Sequence, residues 1–139
     1  MHSTIRVDNT ISYLNTDLDL ASAEDLHPLA EALHSSGLFP LHIAFGEDGL
    51  WHATLESEAD HGEPETNIAS MPAAVESLSL PHRNRWNTCT LREFNVGYDC
   101  GAEPWAFNQS LSPSLLGRVA AACVALRITL YPNRPIRHE

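Results

Sequence analysis

Apolar and polar residues alternate with period two through much of the closing third of the chain. Phe94, Val96 and Tyr98 are separated by Asn95, Gly97 and Asp99, which predicts a strand with one buried face. Trp105 and Phe107 alternate with Ala106 and Asn108 and predict a short strand paired with the first. Ser112 followed by Pro113 predicts a helix start, because serine satisfies orphan amides and proline fits the first helical position. Leu126, Ile128 and Leu130 then alternate with Arg127, Thr129 and Tyr131 as a closing strand.

Residues 4–20 predict a long strand whose apolar parity changes midway. Ile5, Val7, Ile11 and Tyr13 share one parity and Leu14, Leu18 and Leu20 the other, so a bulge near Tyr13 and Leu14 is required. Ser22 to Asp25 resembles a capping box, and Leu26, Leu29, Ala30 and Leu33 form the stripe of a helix that Gly37 ends. Residues 41–56 predict a hairpin. A three-residue loop of Glu47, Asp48 and Gly49 sets Phe45 opposite Trp51, Ile43 opposite Ala53 and Leu41 opposite Leu55. Residues 58–67 read as a mobile acidic loop. Ser70-Met71-Pro72 opens a short helix, with Val75 and Leu78 inward, that Pro81 closes, and residues 82–90 read as irregular. The chain is thus expected to be a single α+β domain over residues 1–139. Its expected order is β-α-ββ-α-ββ-α-β, a single mainly antiparallel sheet with about three helices packed on one face.

Composition narrows the chemistry. The net charge is −10, with fourteen acids and only Arg6 in residues 1–80, against four acids and seven arginines in residues 81–139. An acidic total argues against nucleic acid as a partner, since that needs a positive field. The two halves either neutralise each other across the fold or leave an acidic surface for a basic protein. All eight basic residues are arginine, which removes lysine chemistry. No apolar run reaches the roughly 20 residues of a membrane helix, and MHSTIRVDNT lacks the apolar centre of a secretion signal. No membrane association and a cytoplasmic location are expected. Cys89, Cys100 and Cys123 lack paired spacing, so neither a disulfide framework nor a thiolate zinc site is expected. Cys123 reads as core filler beside Leu116, Val119 and Ala120. Cys100 would need a neighbouring histidine to act as a nucleophile.

If the helices cover the apolar side of the sheet, the other side carries Asn15, Asp17, Asp19, His42, His52, Thr54, Asn95, Asn108, Arg127, Thr129 and Tyr131. In the hairpin register above, His42 faces Thr54 and His52 faces Ala44, making the imidazoles diagonal neighbours. The candidate ligand or partner surface is therefore His42, His52, Thr54, Asn95, Arg127 and Tyr131. An alternative is one divalent metal such as zinc, held by His42, His52, Asp17 and Asp19, in a hydrolase or metal sensor. Arg83, Arg85 and Trp86 are candidates for anion binding and stacking. Nucleophile elbows, calcium loops and glycine-rich phosphate loops are absent, so no catalytic residue is assigned and no cofactor is expected.

Phe94-Asn-Val-Gly97, Leu111-Ser112-Pro113, Leu115-Leu116, Val119-Ala120 and Leu126 to Tyr131 together resemble a family of small uncharacterised bacterial α+β domains. The resemblance spans residues 91–132, about a third of the chain, and implies a small α+β domain without catalytic residues. The expected function is a non-catalytic bacterial binding domain. It would use the open sheet face or a sheet edge to engage a protein partner or form a homo-oligomer. An immunity-type inhibitor of a basic toxin is one form of that expectation, and the turns carrying Trp86 and Trp105 would contribute aromatic contacts.

Overall fold

Leu18 and Leu20 point to one side of the central strand and Asp17 and Asp19 to the other, and this alternation divides the molecule into a covered and an open face. The computed structural model describes residues 9–58 and 62–132. Along the chain, β1 (Ser12–Ser22) leads through α1 (His27–His34) to the hairpin of β2 (Leu38–Phe45) and β3 (Trp51–Ser57). Two helices follow, α2 (Pro64–Glu76) and α3 (Leu80–Thr88), then β4 (Leu91–Asp99), α4 (Pro113–Ala121) and β5 (Ala125–Tyr131). The five strands form one sheet in the order β2-β3-β1-β4-β5.

The α+β class is as expected, but the arrangement differs. The sheet is mixed, because β5 runs parallel to β4 while β1–β3, β1–β4 and β2–β3 are antiparallel. There are four helices among the described residues, and the order is β-α-β-β-α-α-β-α-β. One cause is the stretch around Trp105 and Phe107, which forms no strand. Glu103 instead bridges Thr10 and accepts from the Ile11 amide, Pro104 has no amide to donate, and the Phe107 ring packs on Tyr98. With no hairpin after β4, the chain must return through α4, and such a crossover makes β5 parallel.

A second cause is proline. Pro81 lies at the start of α3 rather than closing a helix, so residues expected to be irregular are helical. Pro64 starts α2 six residues before the expected position, so the acidic loop is helical from residue 64. Residues 59–61 of that loop and residues 4–8 of the long expected strand lie outside the described residues. In the amino-terminal half, β1 continues to Ser22, pairing Ala21 and Ser22 with His52 and Trp51, and delays α1. Asp25 Oδ1 accepts from the His27 amide at 2.9 Å, in place of the expected box at Ser22.

Register follows the parity argument closely. The β1–β4 pairing shifts between Tyr13 and Asn15, leaving Leu14 as the extra residue, exposed at the bulge. Thr16 takes the inward place there, within reach of the Tyr13 hydroxyl at 2.7 Å, which in turn accepts from Asn67 of α2 at 2.9 Å. In the hairpin, the Gly46 amide donates to Leu50 O at 2.7 Å and Gly49 has φ +83°, closing the three-residue loop. Phe45 faces Trp51 and Ile43 faces Ala53, but Pro40 rather than Leu41 faces Leu55, because Leu41 is extruded by a second bulge.

One core joins Leu29, Leu33, Ile68, Met71, Val75, Trp86 and Leu115 from the helices to Leu18, Leu20, Leu55 and Phe94 from the sheet. Trp86, expected in an exposed turn, is fully buried, and its indole donates to Ala122 O at 2.9 Å. Arg92 donates to Trp86 O at 3.0 Å, Cys89 O at 2.8 Å and Cys123 O at 2.9 Å, satisfying carbonyls at the ends of α3 and α4. At its other end α4 is capped by Ser112, whose side chain accepts from the Leu115 amide at 3.1 Å. Glu65 of α2 accepts from the Ser112 amide and hydroxyl, and Glu76 pairs with Arg118 at 3.0 Å. The starts of α2 and α4 are joined and so are their ends, so the two helices run side by side in one direction.

Replacing Trp86 separates packing from hydrogen bonding. Trp86→Ala should cost about 3–5 kcal/mol of unfolding free energy. Trp86→Phe, which leaves Ala122 O without its indole donor, should cost about 1–3 kcal/mol. Urea denaturation of the two variants checks both values.

Candidate functional site

The open face of the sheet carries the polar strand residues expected there, and most are bonded to one another, whereas Asn108 lies in the loop after β4, which forms no strand. Thr54 donates to Asp19 at 2.9 Å, Thr129 to Asn95 at 2.6 Å and Asn15 to Asp17 at 3.4 Å. Arg127 Nε lies 2.9 Å from Glu93 Oε1 as an ion pair without hydrogen-bond alignment. Gly97 leaves room for the Tyr131 ring and the Asn15 amide, which a β-carbon there would crowd at 3.3 Å and 3.1 Å. Thr54, Asn95 and Arg127 thus serve as cross-strand partners.

His42 and His52 share this face, with His42 opposite Thr54 and His52 opposite Ala44. They do not form a joint site. The His52 ring leans toward its own turn, where Nε2 lies 2.8 Å from Asp48 Oδ2 and the ring edge packs beside Gly46. Asp48 is held below the usual carboxylate range, first by the Leu50 amide and then by His52. Asp19 is engaged by Thr54. Among the described residues, no three histidine, cysteine, aspartate or glutamate side chains come together to share an ion.

Asp17 is the perturbed group of the open face. Half-buried between β3 and β4, it is raised from 3.8 to about 6, first by burial and then by the charges of Asp19 and Glu56.

A different surface lies on the covered side, at the outer edge. Since α4 is tied to α2, it leaves part of β5 bare: Ile128 is 62 % and Leu130 61 % exposed, although both have the inward parity expected of core residues. Between α4 and β5 runs a groove of about 410 Å³, walled by Leu116, Leu126, Ile128 and Leu130 and floored by Val96 and Tyr98. Phe107, Gln109 and Leu111 of the long loop after β4 form its far wall. Trp105, two residues before Phe107, is 97 % exposed. Burial, and to a lesser degree the charge of Tyr13, raises the Tyr98 hydroxyl above its ordinary range. Leu126, Ile128 and Leu130 lie on the apolar side that their alternation predicts, yet all three are exposed. The missed signal was Pro104, which weakens the case for a hairpin partner outside β4.

The other candidates have structural positions. Trp86 is buried, which removes it as a stacking platform for Arg83 and Arg85, and Arg85 Nη1 lies 3.2 Å from His82 Nδ1. Cys89 is the buried cysteine, its thiol pushed up to about 11 by burial. Cys123, expected in the core, is exposed just past α4 with φ +60°. The left-handed turn that ends the helix turns it away from the Val119 side.

No family model, no curated protein and no solved structure matches this chain. No described helix is long and apolar enough to cross a membrane.

The raised Asp17 carboxyl sets a sign for pH dependence. Its folded-state value lies above its unfolded one, so ionisation opposes folding progressively as pH rises from about 4 to about 6. Asp17→Asn should therefore raise the melting temperature at neutral pH, with the gain fading below pH about 4. Thermal melts of both proteins across that range measure the difference.

Proposed function

We propose that this chain is a non-catalytic binding domain that engages protein through the outer edge of β5 and the apolar groove beside it. The observation that carries this reading is the apolar surface formed by Leu116, Leu126, Ile128 and Leu130 around the groove, together with an exposed Trp105 on the loop that supplies Phe107 to it. Exposed patches of this kind mark interaction sites, and an exposed tryptophan supplies a large anchor at low conformational cost. The polar groups of the open face support the same reading from the other side, because bonded cross-strand pairs are a way of finishing a solvated sheet.

The reading is tested by comparing wild type with Ile128→Lys and Trp105→Ala. Both residues are exposed, so unfolding free energies should change by no more than about 0.5 kcal/mol. Association with protein, whether another copy or a cross-linked partner identified by mass spectrometry, should weaken about tenfold or more for at least one variant. Association that survives both substitutions unchanged, or none at all in the wild type, would remove the basis of the reading.

A further inference from the structure

We propose that the occupant of this edge is a second copy of the chain, its β5 pairing antiparallel with the first about a two-fold axis at Ile128. The proposal rests on the binding-domain reading above and names its partner.

The sequence of β5 is symmetric in polarity about Ile128, reading Leu126-Arg127-Ile128-Thr129-Leu130. In an antiparallel pair centred there, Leu126 faces the partner's Leu130 and Ile128 faces the partner's Ile128. All of these lie on the groove side. On the open side Arg127 faces the partner's Thr129, so the pairing sets no like charges directly opposite. A shift by one residue breaks this match by setting apolar positions against polar ones. The same surface patch serves both copies, as a two-fold contact requires.

The edge itself invites pairing. Natural edge strands are blocked by charged side chains, proline, bulges or covering elements. Residues 125–131 hold no proline and a single charge, Arg127, which Glu93 of β4 pairs on the open side. The β4–β5 register is unbroken over seven residues, and α4 is strapped to α2. The exposed parts of Leu116, Leu126, Ile128 and Leu130 amount to roughly 400 Å² per copy, about half of what each partner contributes to a standard interface. Among the described residues β5 is an edge strand with no partner on its outer side, and its backbone there adds to that area. An interface below the standard size should give a dimer whose population depends on protein concentration.

Charge supplies a discriminating property. Each copy carries −10, so two copies repel at long range, and added salt should tighten the dimer. A basic partner on the acidic half would instead be released by salt.

Sedimentation equilibrium of the purified full chain, at low and high salt, tests the proposal together with site-directed cross-linking. In a Cys100→Ser, Cys123→Asn background, Ile128→Cys should form a disulfide-linked dimer on mild oxidation, because opposed α-carbons in an antiparallel pair lie about 4.5–5.5 Å apart. Leu126→Cys should not, since its counterpart lies about 13 Å away along the strand. Ile128→Lys should raise the dissociation constant about tenfold or more. A monomer at all concentrations, a dimer indifferent to Ile128→Lys, or cross-linking as efficient at 126 as at 128 would overturn the proposal. A monomer that still captures another protein through Ile128 or Trp105 would overturn the self-pairing alone and leave the binding-domain reading standing.

Discussion

The joining of α4 to α2 decides which parts of the sheet are covered. Glu65 grips the amide and hydroxyl of Ser112 at one end, and Glu76 holds Arg118 at the other. Trp86 and Arg92 then fix the carbonyls of Ala122 and Cys123. The capped, partly shielded contacts at Ser112 and the buried indole bond contribute more than the exposed Glu76–Arg118 pair, which solvent screens. A nine-residue helix tied at both ends has little freedom to settle over the last strand. The cost is apolar surface left in water along β5, the surface on which the proposed binding rests.

Element existence was readable wherever period-two alternation and turn chemistry agreed. Phe94, Val96 and Tyr98 are all buried, as their spacing demanded, and the left-handed Gly49 closes the hairpin in the register argued from its length. The change of parity at Tyr13 and Leu14 is met by a bulge, since one extra residue lets Tyr13 and Leu18 both turn toward the core while Leu14 is left exposed. Failures gathered at prolines. Pro64 and Pro81 each permit two opposite readings, as helix starter or helix breaker, and local sequence does not choose between them, while Pro72, expected to open a helix, lies inside α2. Trp105 failed for another reason: alternation with Ala106 and Asn108 is a pattern, but burial depends on what the remainder of the chain brings to meet it.

The site was less legible than the fold. Parity correctly put His42 and His52 on one face, yet side-chain direction within a face is set by neighbours, and Asp48 in the turn draws His52 toward itself. Asp17 and Asp19 look equivalent as letters, but Asp19 is bonded to Thr54 of the next strand, while Asp17 is raised by burial and by the charges of Asp19 and Glu56. The exposure of Ile128 could not be read from β5, because it follows from where α4 is tied, and that depends on contacts between α2 and α4 more than forty residues apart in sequence.

Amide hydrogen exchange in β5, resolved by residue and followed against protein concentration, tests the central claim most directly. Successive amides of a strand point to opposite sides, so those directed at β4 should be protected at any concentration. Those directed outward should exchange rapidly in dilute solution and slow as copies associate. Equal, concentration-independent protection of all β5 amides would mean that the edge is already covered within a single chain, and the account would fail.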